Sequence, residues 1–335
     1  PVGGVPSGPN GAWIRYRQKF ITPDNVQNGV AFWNQYQNEL NRAWQTYGVP
    51  PEIIVGIIGV ETRWGRVMGK TRILDALATL AFDYPRRATY FQGELETFLL
   101  MARSEGDDPL ALKGSFAGAM GYGQFMPSAF KQYAVDFNGD GHINLWDPVD
   151  AIGSVANYFK GHGWVKGDTV AVPANGQAPG LANGFKTQYS ISQLTAAGLT
   201  PQQSLGNHQQ ASLLRLDIGT GYQYWYGLPN FYTITRYNHS THYAIHVLAA
   251  SQKPLAELFA RKGADRFSHT QHHDSEHGVP LLEGCSAVFE CRNLRQHEEG
   301  DHLLFIGEVD RCEHHTDRAP LLYHSGHMHA HGFVR

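Results

Sequence analysis

Three absences bound this 335-residue chain. No apolar run reaches the length needed to cross a bilayer, so nothing in it reads as a membrane span. The net charge of −3 at pH 7 leaves no large excess of one sign, and neither nucleic acid nor an anionic membrane surface is expected as a partner. Cysteine is missing from the first 245 residues. All three (Cys285, Cys291, Cys312) lie beyond, together with 13 of the 18 histidines counted from His246. A Cys-free first part tolerates any redox compartment, whereas three unpaired-looking thiols are commoner in a reducing one. The length leaves room for two domains, and the abrupt change of composition puts a boundary near residue 245. No internal repeat or low-complexity tract is present. Pro1 opens the chain without a signal-peptide pattern, so any export signal or lipid anchor is expected outside this sequence.

The chain is organised around the stretch from Pro50 to Gly65, which reads as one short helix. Its prolines suit a helix entry, Glu52 the positive end of the dipole and Gly65 the stop. Ile53, Ile54, Val55, Ile57, Ile58 and Val60 cover every side of it, which marks a core helix. Glu61 then sits against a dry interior, where desolvation raises a carboxyl pKa and suits it to general acid work. From the helix alone, a buried Glu paired with Arg63 or another base reads equally well.

Before this helix, Val30, Phe32, Trp33, Tyr36, Leu40 and Trp44 repeat at helical spacing, predicting one amphipathic helix over Asn28 to Tyr47. After it, Leu74 to Phe82 and Thr89 to Arg103 read as helices broken at Tyr84-Pro85-Arg86-Arg87. Lys113 to Pro127 carries four glycines between Gly114 and Gly123 among aromatics, which permits tight turns and close approach to a ligand. By itself that stretch is an ordinary Gly-rich connection, without the Lys-Ser/Thr pair of a phosphate loop.

Asp136-Phe137-Asn138-Gly139-Asp140-Gly141-His142 has calcium-loop spacing: oxygen ligands at positions one, three and five, Gly141 at the sharp turn, and a backbone carbonyl from His142. Asp147 is read as the closing ligand at position twelve, and with Pro148 also as the cap of a helix from Val149 to Phe159.

Glu61-Thr62-Arg63-Trp64-Gly65, followed by Gly118-Ala119-Met120-Gly121-Tyr122-Gly123-Gln124-Phe125-Met126-Pro127-Ser128, resembles the membrane-bound lytic transglycosylase B family over about Ser7 to Tyr243. The resemblance implies a lysozyme-like catalytic domain with Glu61 as the single catalytic acid/base. Tyr16, Arg86, Arg87, Ser115, Gln124, Tyr158, Tyr237, Asn238 and Tyr243 match the family's glycan-binding cleft. It also implies a structural Ca2+ on Asp136, Asn138, Asp140, His142 and Asp147, and peptidoglycan glycan strands as substrate. The implied location is the periplasm, with attachment to the outer membrane through a lipid anchor absent from this chain.

Lys166 to Gln203 turns to Gly, Pro, Asn and short β-branched runs, as a small loop-and-strand insert would. Beyond Tyr243 the sequence instead resembles the C-terminal half of flavin reductases with a split β-barrel, through Ile245 to Ala250, Pro254 to Gly263, Asp265-Arg266-Phe267 and Gly300-Asp301-His302. The half of that family that supplies much of the flavin site is missing, so FMN is not expected here. The six histidines from His314 to His331 lack the spacing of a known metal site and read as adventitious affinity.

The resulting fold expectation is α+β, mainly α: a lysozyme-like transglycosylase domain over 1–244 with a small insert, then a partial split β-barrel segment over 245–335. The expected activity is cleavage of the MurNAc-GlcNAc β-1,4 bond with 1,6-anhydro-MurNAc ends. Hydrolysis by a muramidase would need a second carboxylate near Glu61, for which Asp83 is the candidate. A glycan-binding module without activity and an FMN-dependent reductase are the remaining readings, the latter favoured only by the tail. Tyr243 to about Ala250 is expected to pack on the larger core as helix, with residues beyond about Ser268 loosely ordered or dependent on another chain.

Overall fold

In the computed structural model, residues 9, 11–83, 88–237, 243–261, 270–274, 280–299, 302–324 and 327–329 are described. The first part is helical: α1 (Ala12–Phe20), α2 (Pro23–Gln35), α3 (Gln37–Tyr47), α4 (Pro51–Thr62), α5 (Ile73–Phe82), α6 (Ala88–Glu105), α7 (Pro127–Tyr133) and α8 (Pro148–Gly161). A two-stranded pairing of β1 (Thr71–Arg72) with β2 (Lys113–Gly114) ties the start of α5 to the Gly-rich stretch.

Local chemistry sets the boundaries. Thr22 accepts the Asn25 N–H at 3.1 Å and Pro23 opens α2. Gly48, at φ 79°, ends α3. The helix expected over Asn28 to Tyr47 is two helices, because Tyr36 leaves helical geometry at φ −112° and ψ 28°. The backbone ladder continues through that kink, with Tyr36 N–H on Phe32 O at 3.0 Å and Leu40 N–H on Tyr36 O at 2.9 Å. Across the bend the Tyr36 ring packs 4.8 Å from the ring of Phe32.

Helix α4 runs through the main core. Ile54 and Ile58 are fully buried among Leu40, Leu77, Phe98, Ile152 and Phe159. Burial is not uniform around it: Val60 is 46% exposed, so the helix shows one face to solvent. Its exit is a run of three left-handed residues, Arg63 (φ 49°), Trp64 (φ 57°) and Gly65 (φ 84°). That turn folds the Trp64 indole back over the helix, where its Nε1 donates to Val55 O at 3.0 Å. Only glycine fits beneath the ring, because a Cβ on Gly59 would lie 2.4 Å from it.

The insert is larger than the sequence pattern predicts. β3 (Ala171–Asn175), β4 (Gly184–Ser190), α9 (Ile191–Ala196), β5 (Thr200–Pro201), β6 (Gln210–Asp217) and β7 (Tyr222–Gly227) build a five-stranded sheet in the order β4-β6-β7-β3-β5. It has its own core around Val172, Leu194, Leu213, Tyr224 and Tyr226. The aromatic run from Tyr222 belongs to this sheet by period-two alternation, with Tyr224 and Tyr226 turned inward. α10 (Pro229–Tyr237) then returns to the helical core.

The remainder comprises β8 (Tyr243–Val247), α11 (Lys253–Ala260), β9 (His272–Asp274), β10 (Pro280–Leu282), β11 (Ala287–Glu299), β12 (His302–His314), β13 (Leu322–His324) and β14 (His327–His329). The helix expected over Tyr243 to Ala250 is not formed; Tyr243–Val247 is a strand, antiparallel to Ala287–Cys291 of β11. The physical reason is partner supply: β11 offers a free edge in register, and the alternation of Ile245 and Val247 suits a strand. Among the described residues past Ser268, strands β9–β14 are formed, joined by turns. The sheet β12-β11-β8 is open, with three strands among the described residues.

Two glycine substitutions in α4 are expected to have opposite effects. Gly59→Ala forces the Trp64 ring to move and should lower stability by about 1–3 kcal/mol. A Cβ on Gly56 meets nothing within 4 Å, so Gly56→Ala should raise stability by about 0.5–1 kcal/mol through helix propensity. Denaturant midpoints of the two variants check the pair.

Candidate active site

Glu61 occupies the last turn of α4 and is partly buried. Burial pushes its carboxyl pKa up to about 7, and among the described residues no charged neighbour contributes to that shift. Its neighbour Thr62 fixes the helix end: the hydroxyl donates to Tyr122 O at 2.9 Å and accepts the Gly65 N–H at 3.1 Å. Arg63 therefore does not act as the base paired with Glu61; it is the left-handed residue that turns the chain.

Opposite the helix end lies the Gly-rich stretch. Met120 and Phe125 exchange backbone hydrogen bonds at 2.9 and 3.0 Å, making a small hairpin. Gly121, at φ +70°, brings the backbone so close to Leu145 that a Cβ would lie 2.2 Å from the Leu145 carbonyl oxygen. Ser115 Oγ accepts the N–H groups of Ala117 and Ala119 at 3.2 and 2.9 Å, which holds the turn before the hairpin. Gln124, at φ 54°, donates through Nε2 to Gly121 O at 2.8 Å and to Met68 O at 3.4 Å. Ser115 and Gln124 are thus braces of the loop in this structure.

The wall is aromatic. Tyr237 donates its hydroxyl to Gly123 O at 2.5 Å, stacks on Phe159 at 5.4 Å and meets Tyr158 edge-on at 4.8 Å. Burial, then the charge of Glu61, pushes the Tyr237 phenol well above its ordinary value, so the two side chains share one electrostatic environment. Tyr158 is pushed up to about 12, chiefly by burial, and donates to Arg236 O at 2.9 Å. Both phenols are spent on backbone carbonyls, which leaves a rigid wall of rings.

The other cleft candidates stand differently. Tyr16 sits on α1 between Trp13 and Phe20, at 6.0 and 5.0 Å, and that helix begins where Gly11 N–H meets Asp217 of the insert at 2.7 Å. Arg86, Arg87 and Asn238 lie outside the described residues. Tyr243 heads strand β8, so its backbone pairs with Cys291. Asp83, the candidate second carboxylate, is exposed at the end of α5.

The metal loop requires one correction. Asp147 is not among the converging carboxylates; its Oδ1 accepts the N–H groups of Val149 and Asp150 at 2.8 and 3.2 Å and caps α8. The carboxylates that meet are Asp136, Asp140 and Asp150, with one oxygen of each within 4.8 Å of the others. Asp150 is fully buried and accepts the N–H groups of Phe137, Asn138 and Asn144 at 2.8, 3.0 and 2.9 Å. Burial raises its pKa and those bonds oppose the rise. Asp136 accepts from Gly139, Asp140 and Gly141, and Asn138 accepts from Asp140. Hard oxygen donors around three converging carboxylates fit a calcium ion. The loop leads into Leu145, whose carbonyl accepts the Tyr122 N–H at 3.0 Å, so it buttresses the hairpin opposite Glu61.

Sequence reasoning missed Thr62, Asp150 and Glu94. The buried Glu94 accepts the N–H and hydroxyl of Ser128 at 2.9 and 2.5 Å and anchors the first turn of α7. For Asp150 a signal was present: a second acid three residues after the helix cap.

Comparison with known proteins follows the same division. The transglycosylase SLT domain family matches residues 6–252, and a flavin reductase like domain matches residues 229–332. Membrane-bound lytic murein transglycosylase B of Escherichia coli is 87% identical over 247 residues, 74% of this chain and 68% of that protein. The structure of E. coli lytic transglycosylase SLT35 in complex with calcium aligns at a TM-score of 0.69 and 89% identity, covering 70% of this chain and 75% of that one. SltB3 from Pseudomonas aeruginosa in complex with NAG-NAM-pentapeptide aligns at 0.62 with 31% identity, covering 70% of this chain and 64% of that one. For the tail, FMN reductase (NADH) SmoA of Agrobacterium fabrum is 40% identical over 90 residues, 27% of this chain and 51% of that protein. The chain thus spans about half the length of that flavin reductase. With the family match covering most of its length and ending beyond α10, this chain belongs to the transglycosylase SLT family and is a lytic murein transglycosylase.

Proposed function

We propose that Glu61 carries both proton steps of peptidoglycan cleavage in this chain. The observation that carries the reading is a carboxyl pushed up to about 7 by burial, at the end of a core helix. Protonated Glu61 donates to the glycosidic oxygen between N-acetylmuramic acid and N-acetylglucosamine, and the C1–O bond breaks with assistance from the acetamido group. The resulting carboxylate takes the proton of the muramyl C6 hydroxyl, whose oxygen bonds to C1 and closes the 1,6-anhydro ring. No water is consumed, and no second carboxylate is required. The exposed position of Asp83 weighs against hydrolysis through a carboxylate pair. Binding of NAG-NAM-pentapeptide by SltB3 supports the glycan substrate. The rings of Tyr158 and Tyr237 would offer apolar faces to sugar, while Ser115 and Gln124 hold the loop beside it.

Calcium is proposed as a structural ion held by Asp136, Asn138, Asp140, the His142 carbonyl and Asp150. Bound there, it would neutralise converging carboxylates and stiffen the segment that supports Tyr122. The calcium complex of SLT35 supports this reading. Residues 1–244 are proposed as the catalytic unit. Residues 245–335 are proposed as an incomplete split-barrel segment that holds no FMN, since only part of a flavin reductase is matched. A periplasmic, membrane-associated location is proposed from the relative's description as membrane-bound.

Glu61→Gln should keep the fold and lower turnover by at least about two to four orders of magnitude, the typical value of general acid catalysis. Near-normal activity of the folded variant would refute the assignment. Muropeptide mass spectrometry of digested sacculi should find 1,6-anhydromuramyl ends as the main product.

The raised pKa also fixes a sign for stability. The unfolded chain releases the Glu61 proton near 4.5, whereas the folded protein keeps it to about 7. The unfolded state therefore binds fewer protons between those values, and stability falls as pH rises through that window. Glu61→Gln should remove this fall, so its melting temperature should gain on the wild type between pH 4 and pH 8. Turnover of the wild type should decline above about pH 7 as the acid is lost.

Calcium should raise the melting temperature, by about 2.7 kcal/mol of stability at a hundredfold excess over its Kd. Asp140→Ala should abolish that gain. Asp147→Ser keeps a helix cap and should retain it; loss of the gain in Asp147→Ser would restore Asp147 as a ligand.

A further inference from the structure

Away from the Glu61 hairpin, between the β insert and the helical core, lies an open cavity of about 500 Å³. Ser212 on β6 and Gly227 on β7 line it, with residues 228–229 and 232–233 at the start of α10 and His162 and Gly163 after α8. The exposed amide side chains of Gln188, Asn207, Gln209 and Gln210 surround the opening. Among the described residues, none of these four amides hydrogen-bonds through its side chain to the protein. Tyr232, 40% exposed, adds an aromatic ring that packs at 6.3 Å on Phe185. Both histidines of the lining have partners: His208 Nε2 lies 2.7 and 2.9 Å from the two carboxylate oxygens of Asp168, and His162 Nδ1 lies 2.7 Å from Tyr158 O.

Free amides paired with a flat ring are the chemistry that receives acetamido and hydroxyl groups beside an apolar sugar face. No Lys or Arg is among the lining residues, although the Arg236 guanidinium lies 5.9 Å from the centroid of the Tyr232 ring, so amides rather than cations supply the polar contacts inside the cavity. We propose that this cavity is an accessory site for a neutral N-acetylhexosamine segment, resting on the glycan-cleaving function above. Tyr232 and Tyr237 lie five residues apart on α10, about 7.5 Å along the axis and on different sides of the helix. The cavity therefore opens on another side of α10 from Tyr237, and it touches the cleft wall only from behind, through His162 stacked on Tyr158 at 3.9 Å. It holds another stretch of glycan in the wall, which raises the local concentration of strands at Glu61.

The test uses the full chain as Glu61→Gln, labelled with 15N and titrated with chitotetraose. Side-chain amide signals of Gln188, Gln209 and Gln210 should shift together. Tyr232→Ala and, separately, the exposed Gln209→Ala should each weaken that binding about tenfold, the loss of one ring or amide contact. In the active protein the same two substitutions should raise KM for sacculi. Unmoved cavity amides, while the wild type still forms anhydromuramyl products, would overturn the accessory site and leave the cleavage reading intact. Absence of those products would overturn both.

Discussion

The packing of Trp64 onto α4 is the constraint on which the site depends. Three left-handed residues in a row are costly outside glycine, and Arg63 and Trp64 adopt that conformation only because the indole is received by Gly29 and Gly59 and tied to Val55 O. The same turn places Gly65 where its N–H meets Thr62, and Thr62 in turn holds Tyr122. Glu61 is thus fixed at the junction of a helix end and a hairpin, where burial raises its carboxyl pKa to about 7 and leaves a large protonated fraction near neutral pH.

Stiffness around this acid is supplied from two directions. Tyr158 and Tyr237 spend their hydroxyls on backbone carbonyls, so the aromatic wall cannot rotate without losing hydrogen bonds. On the other side, the acidic loop reaches the hairpin through Leu145 O and Tyr122 N–H. Loop geometry at residues 136–150 is therefore coupled to the hairpin opposite Glu61 through backbone rather than through side chains that could relax.

The join between the two parts is a competition for one segment. Residues 229–252 fall within both family matches. Up to Tyr237 the segment serves the helical core, where Tyr237 packs on Phe159. From Tyr243 it pairs with β11, since an open strand edge offers backbone partners that an isolated short helix cannot match. The boundary is set by where each partner can satisfy the backbone.

Much of the site was legible in sequence because its signals are local. The prolines and glycines bounding α4, the apolar stretch before Glu61 and the oxygen spacing from Asp136 to Asp140 are short-range patterns whose physics needs no tertiary contact. The tertiary structure decided what depends on distant partners. It turned Gln124 and Ser115 to bracing the loop, spent Asp147 on a helix cap and brought the buried Asp150 to the acidic cluster. It extended the insert through the Tyr224 and Tyr226 strand and made Tyr243–Val247 a strand beside a sequence 40 residues away. A side chain with several possible hydrogen-bond partners, or a segment able to form helix or strand, carries no local record of which partner will be nearest once the chain has packed.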